Sequence, residues 1–165
     1  MFQLISTAGV TYRVCPFTSL RAEGEASGLF LAHWCEATAD PTIPMNIDWE
    51  AYRRLEMAGL EICIAVRRDD RLIGYGVYLI YPHLHYRGWI MGDSDVFFVH
   101  PSERRGRVGF DLFRAVEEQL RLKGVDEMVQ RVKLHVRPGR GRSTLGPLFE
   151  RLGYRAVETV YRKKL

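Results

Sequence analysis

The side chains whose types and spacing can do chemistry lie between Asp95 and Gly124. Asp95-Val96-Phe97-Phe98-Val99 is apolar and aromatic enough to form a strand, and an amphipathic helix begins at Val108. Between them runs His100-Pro101-Ser102-Glu103-Arg104-Arg105-Gly106-Arg107. A basic, glycine-bearing turn between a strand and a helix is an anion site. The first N–H groups of a helix have no intrahelical acceptor, point outward together and carry partial positive charge. Gly106 and Gly109 have no Cβ, so a pyrophosphate can approach the backbone at two points, with Arg104, Arg105 and Arg107 adding mobile positive charge. A solvated turn that merely caps a helix shares this local pattern. A Walker-type loop does not, since no Gly-Lys-Ser/Thr triplet occurs.

Two carboxylates, Asp93 and Asp95, stand at the start of the same strand. At period two they share a face with Phe97 and Val99, and either can act as a general base or simply end a strand. His83 and His85 flank Leu84 without a third ligand nearby, which suits a surface or substrate groove better than a metal pair. His100 reads as a structural histidine. Tyr75, Tyr78, Tyr81, Tyr86 and Trp89 enrich the middle of the chain in aromatics, as core or as the lining of an acceptor pocket. Cys15, Cys35 and Cys63 form no CxxC pair, are odd in number and read as buried thiols, so neither a disulfide framework nor a metal site is expected.

The elements that must position these residues follow from periodicity and breakers. A first strand is expected over 12–17 and a helix over 19–39, with Ser19 as N-cap and Leu29, Leu31, Ala32 and Cys35 on its buried side. A second helix follows Asp48 and ends near Gly59. Strands at 61–67 and 72–81 flank Arg68-Asp69-Asp70-Arg71, which has hairpin-turn chemistry. Another strand spans 89–99. Val108, Leu112, Val116 and Leu120 recur every four residues on one helix face, closed by Lys123-Gly124. A strand at 129–136, a short helix at 143–152 stopped by Gly153, and a last strand at 154–162 complete a mixed α/β order in one domain over 1–165, with 1–10 as an N-terminal extension.

At 165 residues and 47% hydrophobic content the chain can bury a core unaided. It has no apolar stretch near the roughly 20 residues of a membrane span and no secretory pattern at its start, so a cytoplasmic location is expected. Its charge of +4 and pI near 9.1 are mild. The basic runs at 137–142 and 162–164 lack interleaved aromatics for stacking on bases, which argues against a nucleic-acid partner.

Val99-His100-Pro101-Ser102-Glu103-Arg104-Arg105-Gly106-Arg107-Val108-Gly109 resembles motif A of the GNAT N-acetyltransferase family, Arg/Gln-x-x-Gly-x-Gly/Ala after a strand. Arg104 takes the first position and Gly109 the last, while Arg107 stands where the middle glycine usually is. Leu148-Phe149-Glu150-Arg151-Leu152-Gly153-Tyr154 is similar to the family's C-terminal segment, with Phe149 where a tyrosine general acid is often found. The Arg-Arg-Gly-Arg-Val-Gly run and residues 146–153 also look like GNAT-type proteins of tailed bacteriophages. The resemblance implies a mixed central β-sheet flanked by helices, with splayed strands forming an acyl-CoA cleft. It implies acetyl-CoA as cosubstrate, no metal, and an amine acceptor. The strand backbone at Phe98 and Val99 would meet pantetheine and thioester, and the N–H groups of Arg105, Gly106, Arg107, Val108, Gly109 and Phe110 the pyrophosphate. Asp93 or Asp95 would be the base. The alternative is a GNAT-fold binding or structural protein without efficient turnover; a second copy of the chain is a further candidate partner.

Overall fold

The computed structural model describes residues 3–7, 9–38, 40, 42–132, 145–161 and 163, and the chain divides into two units, Met1–Arg131 and Val132–Leu165. The first unit is built on a six-stranded sheet in sequence order: β1 (Gln3–Thr7), β2 (Val10–Val14), β3 (Glu61–Arg68), β4 (Arg71–Pro82), β5 (Ile90–Val99) and β6 (Glu127–Val129). Pairing is antiparallel from β1 to β5 and parallel between β5 and β6. The β3–β4 hairpin closes through Asp69 and Asp70, both at positive φ (47° and 62°), the conformation a two-residue turn needs to match the twist of its strands. The helices are α1 (Arg21–Ala26), α2 (Leu29–Ala37), α3 (Trp49–Met57), α4 (Val108–Leu122) and, in the second unit, α5 (Leu145–Arg151). Among the described residues no helix is long and apolar enough to cross a membrane.

Each sheet face has its own core. On one, α4 buries Val108, Leu112, Val116 and Leu120 against Ile62, Ile64, Val66, Ile73 and Tyr78. The period-four stripe read from the sequence is this contact, and each fully buried leucine in it contributes about 1.5–3 kcal/mol. Tyr12 reaches across from β2, its hydroxyl donating to the Val108 carbonyl at 3.2 Å. On the other face a 3-10 turn (Phe17–Leu20) and α1–α3 cover Cys63, Ala65, Tyr75, Val77 and Phe98, with Phe17 at the centre of an aromatic group that includes Phe30, Trp49, Tyr52 and Tyr75. Two glycines are fixed by packing alone. A Cβ at Gly24 would fall 2.3 Å from the Phe30 ring, and one at Gly74 would lie 2.8 Å from the Phe98 carbonyl oxygen.

Several boundaries differ from expectation. The first strands are at 3–7 and 10–14, where β1 and β2 pair with each other. The single helix expected over 19–39 is a 3-10 turn and two helices, because Gly28 adopts φ 69° and restarts the chain at Leu29. Ser19 therefore lies inside the turn, donating its hydroxyl to the Pro16 carbonyl at 2.6 Å, and Leu31 falls on the outer side, 53% exposed. Of the three thiols only Cys63 is fully buried; Cys15 and Cys35 keep partial exposure. The strand expected over 129–136 meets β6 at Val129, and residues 133–136 lie outside the described ones. Residues 154–161 form no strand among the described residues, and Val157, Val160 and Tyr161 are exposed. The corrected faces predict that Leu112→Ala costs about 2–5 kcal/mol in urea unfolding, whereas Leu31→Ala costs under about 0.5 kcal/mol.

Candidate functional site

Strand β5 does not keep period two. Val77 pairs with Val96 and Tyr78 with Ser94, so Asp95 is the extra residue of a β-bulge. Phe97 and Val99 pack on the α4 face, Val96 and Phe98 on the α1–α3 face. The bulge then sends the Asp95 side chain toward α3, where it accepts a hydrogen bond from the Tyr52 hydroxyl. Asp93, opposite Leu79, lies on that face too. The expectation that both aspartates share a face with Phe97 and Val99 is thus corrected by one inserted residue.

The two aspartates differ in what holds them. Asp93 is gripped by the Arg131 guanidinium, Nε donating to Oδ1 at 3.0 Å and Nη2 to Oδ2, with the Tyr81 hydroxyl 3.5 Å away. Asp95 has only the neutral phenol of Tyr52, whose own pKa burial drives far upward, the bond to Asp95 adding to it, so Tyr52 stays a donor. Among the described residues the last β5–β6 rung joins Asp93 to Val129, and Ser94 accepts the Arg131 N–H on its hydroxyl at 3.0 Å.

At its end β5 enters the turn to α4. Arg104 is fixed there: Nε donates to the Val99 carbonyl at 2.9 Å, both terminal nitrogens to the Glu36 carboxylate at 2.8 and 2.7 Å, and its guanidinium lies 5.4 Å from the Phe98 ring centre. Arg107 leans on Asp111 at 3.2 Å and on Phe110. Mobile charge around the turn is therefore corrected to Arg105, the one of the three that makes no ion pair among the described residues; the local carboxylates Glu36 and Asp111 hold the other two. Gly106, at φ 105°, is in a conformation that side chains resist, and beside both Gly106 and Gly109 the place of a Cβ is open space. The first α4 bond runs from the Asp111 N–H to the Arg107 carbonyl at 2.8 Å, which leaves the N–H groups of Val108, Gly109 and Phe110 ahead of it.

Sequence reading missed Glu61 and Tyr52. Glu61 opens β3 on the face of Cys63 and Ala65; a charged residue in phase with a buried stripe was the available signal. It accepts the Phe17 N–H on Oε1 at 3.3 Å, and Oε2 is buried without a partner. Burial, then the charge of Glu56, pushes its carboxyl up to about 7. His33 Nδ1 meets the Tyr75 hydroxyl at 2.8 Å, and His100 accepts the Ser102 N–H as a local cap. His83 accepts the His85 N–H, and among the described residues no three His, Cys, Asp or Glu side chains gather as a metal site. Phe149 is buried in the second unit beside Tyr154, ring centres 5.3 Å apart.

Because folding raises the Glu61 carboxyl from its ordinary 4.5, the folded state keeps a proton that the unfolded state has lost. This contribution is complete below about pH 4.5 and disappears as pH rises through 7, with roughly 2–3 kcal/mol of it lost between pH 5 and pH 8. The melting temperature of Glu61→Gln relative to wild type should therefore rise by roughly 5–10 °C between pH 5 and pH 8. A pH-independent difference would mean that the carboxyl titrates as it does in water.

A model of the acetyltransferase (GNAT) family matches residues 27–154. No curated protein matches. Among solved structures, AAC(6')-Iy in complex with the bisubstrate analogue CoA-S-monomethyl-acetylneamine superposes with TM-score 0.66 at 22% identity, over 94% of this chain and 99% of that one. A ribosomal-protein-alanine N-acetyltransferase from Brucella melitensis biovar Abortus 2308 gives TM-score 0.66 at 17% identity, over 94% and 99%. A predicted acetyltransferase with acetyl-CoA from Clostridium acetobutylicum gives 0.64 at 12%, over 94% and 96%. At these identities the likeness establishes the fold, a mixed sheet flanked by helices. The family match extends over more than three quarters of the sequence, and the chain belongs to the acetyltransferase (GNAT) family.

Proposed function

We propose that residues 1–165 act as one N-acetyltransferase domain that moves an acetyl group from acetyl-CoA directly to an amine, with Asp95 as the base. The observation that carries this reading is the bulge. It sets a carboxylate that forms no ion pair among the described residues just past the last described β5–β6 rung, on the strand that leads into the α4 turn. Asp93, engaged by Arg131, is the weaker candidate.

The turn suits a pyrophosphate: three helix N–H groups precede the first α4 bond, and among the described residues nothing lies within 4 Å of where a Cβ would stand at Gly106 or Gly109. Phe98 and Val99, both buried on opposite faces, have only backbone to offer a pantetheine arm. When bound, acetyl-CoA supplies a thioester carbonyl carbon for the amine to attack. A lysine-like amine, with pKa ~10.4, is neutral in only about one molecule in a few thousand at pH 7, so its proton must be removed. Asp95 receives that proton, and Tyr52 holds the carboxylate in place. Departure of a thiolate, near ~8.5 on the cysteine scale, needs no acid, which makes phenylalanine at 149 compatible with turnover. The structural neighbours with a CoA analogue and with acetyl-CoA support the cosubstrate.

The Cβ of Gly109→Trp meets nothing within 4 Å among the described residues, so the variant should fold normally and lose at least about a hundredfold in acetyl-CoA affinity by calorimetry, in the manner of a blocked pocket. Retained affinity would place the cosubstrate elsewhere. Asp95→Asn should lower kcat by about 10²–10⁴ with acetyl-CoA affinity unchanged, and Asp93→Asn should do less. If wild type binds acetyl-CoA yet acetylates nothing in a broad amine screen, the binding-protein reading replaces the enzyme, with Arg107 and Phe149 at two family positions as its basis.

A further inference from the structure

Among the described residues, the carboxylates Glu56, Glu61 and Asp95 between α3 and the sheet form no ion pair. Glu56 spends both oxygens on uncharged donors, the Thr18 N–H and hydroxyl, each at 2.7 Å. Asp95 has the Tyr52 phenol, and Glu61 has one backbone N–H and an orphaned oxygen. The acids around them are matched instead: Asp93 with Arg131, Glu36 with Arg104, Glu23 with Arg67, Glu50 with Arg53 and Arg54. Tyr52 and Glu56 sit one turn apart on α3, and their helix packs over the face that carries Glu61 on β3 and Asp95 on β5. Glu61 feels the charge of both Glu56 and Asp95, besides that of Cys15.

Acids clustered on a surface need no ligand, since water satisfies them. Glu61 is different: it retains 9% of its surface and its Oε2 has no partner, so as an anion it requires a positive neighbour. Acetyl transfer itself discharges the reacting nitrogen, because the ammonium must lose its proton before attack. An acceptor with one amine gives its proton to Asp95 and so leaves Glu56 and Glu61 without a cation at that moment. A second ammonium, remote from the reacting one, keeps its charge throughout.

We propose that Glu56, Glu61 and Asp95 form the acceptor subsite and select polycationic amines over monoamines. This rests on the acetyl-transfer reading, with Asp95 as the base and Glu56 and Glu61 as specificity residues. Calorimetric titration of the full chain with 1,4-diaminobutane and with butylamine tests it without turnover. The diamine should bind at least ~10-fold more tightly in wild type, and in Glu61→Gln or Glu56→Gln the preference should fall below about threefold. Glu50→Gln, whose carboxylate is exposed and ion-paired with Arg53 and Arg54 on α3, should leave the preference intact. Equal affinity for the two amines in wild type, or a preference that survives in both Glu61→Gln and Glu56→Gln, overturns the subsite. A parallel acetyl-CoA titration separates the two claims. Diamine preference without acetyl-CoA binding removes the transferase and leaves the cation site, whereas acetyl transfer to butylamine as efficient as to diaminobutane removes the subsite and leaves the transferase.

Discussion

Between Ser94 and Val96, β5 carries one more residue than β4 has partners for, and the sorting of side chains between the two cores depends on that mismatch. With regular alternation Asp95 would point under α4 with Phe97, toward Leu112 and Val116, where an ionised carboxylate has no partner and its desolvation costs several kcal/mol. The bulge releases it to the side of Tyr52, while Phe97 keeps its stack on Phe113 with ring centres 3.7 Å apart. A second register shift, between Val66 and Arg67 of β3, works in the same way on β4, turning Ile73 to the α4 core and Tyr75 to the other. Two short local irregularities thus let one hydrophobic sheet present a polar site without breaking either core.

Elements written in local pattern were legible in the sequence. The α4 stripe, its basic turn, the Asp69-Asp70 hairpin and the start of α3 after Asp48 each depend on residues a few positions apart, and each stands where the pattern put it. The helix over 19–39 failed at one residue, since periodicity runs through a glycine whether or not the backbone turns left-handed there. The candidate site was legible in part. Its turn and its two aspartates were named, but their face was wrong, because a bulge is invisible to a period-two count. The contacts that separate the two aspartates are far apart in sequence: Tyr52 meets Asp95 across 43 positions and Arg131 meets Asp93 across 38. Arg104 was read as a free charge for the same reason, its partner Glu36 lying 68 residues away.

Arg104 also joins the two halves of the site. One guanidinium holds the last carbonyl of β5, covers Phe98 and grips α2 through Glu36, so the strand end and the helix above it share one anchor. The aromatic group behind it, Phe17, Phe30, Tyr52 and Tyr75, fills the space between that helix and α3. Tyr52 belongs to both worlds: its ring packs edge-on to Phe17 at 4.6 Å while its hydroxyl serves Asp95.

The glycines divide by what forbids a side chain, and that bears on how variation among relatives is to be read. At Gly24 and Gly74 any substituent collides with the protein itself, so invariance there would record only a steric necessity of folding. Gly109 has helical neighbours, ordinary backbone angles and vacant space where a methyl group would go. Drift at that position is open as far as the polypeptide is concerned. A lineage that nevertheless never departs from glycine at 109 would be displaying the outline of something outside the chain, drawn by selection in a place where packing leaves no mark.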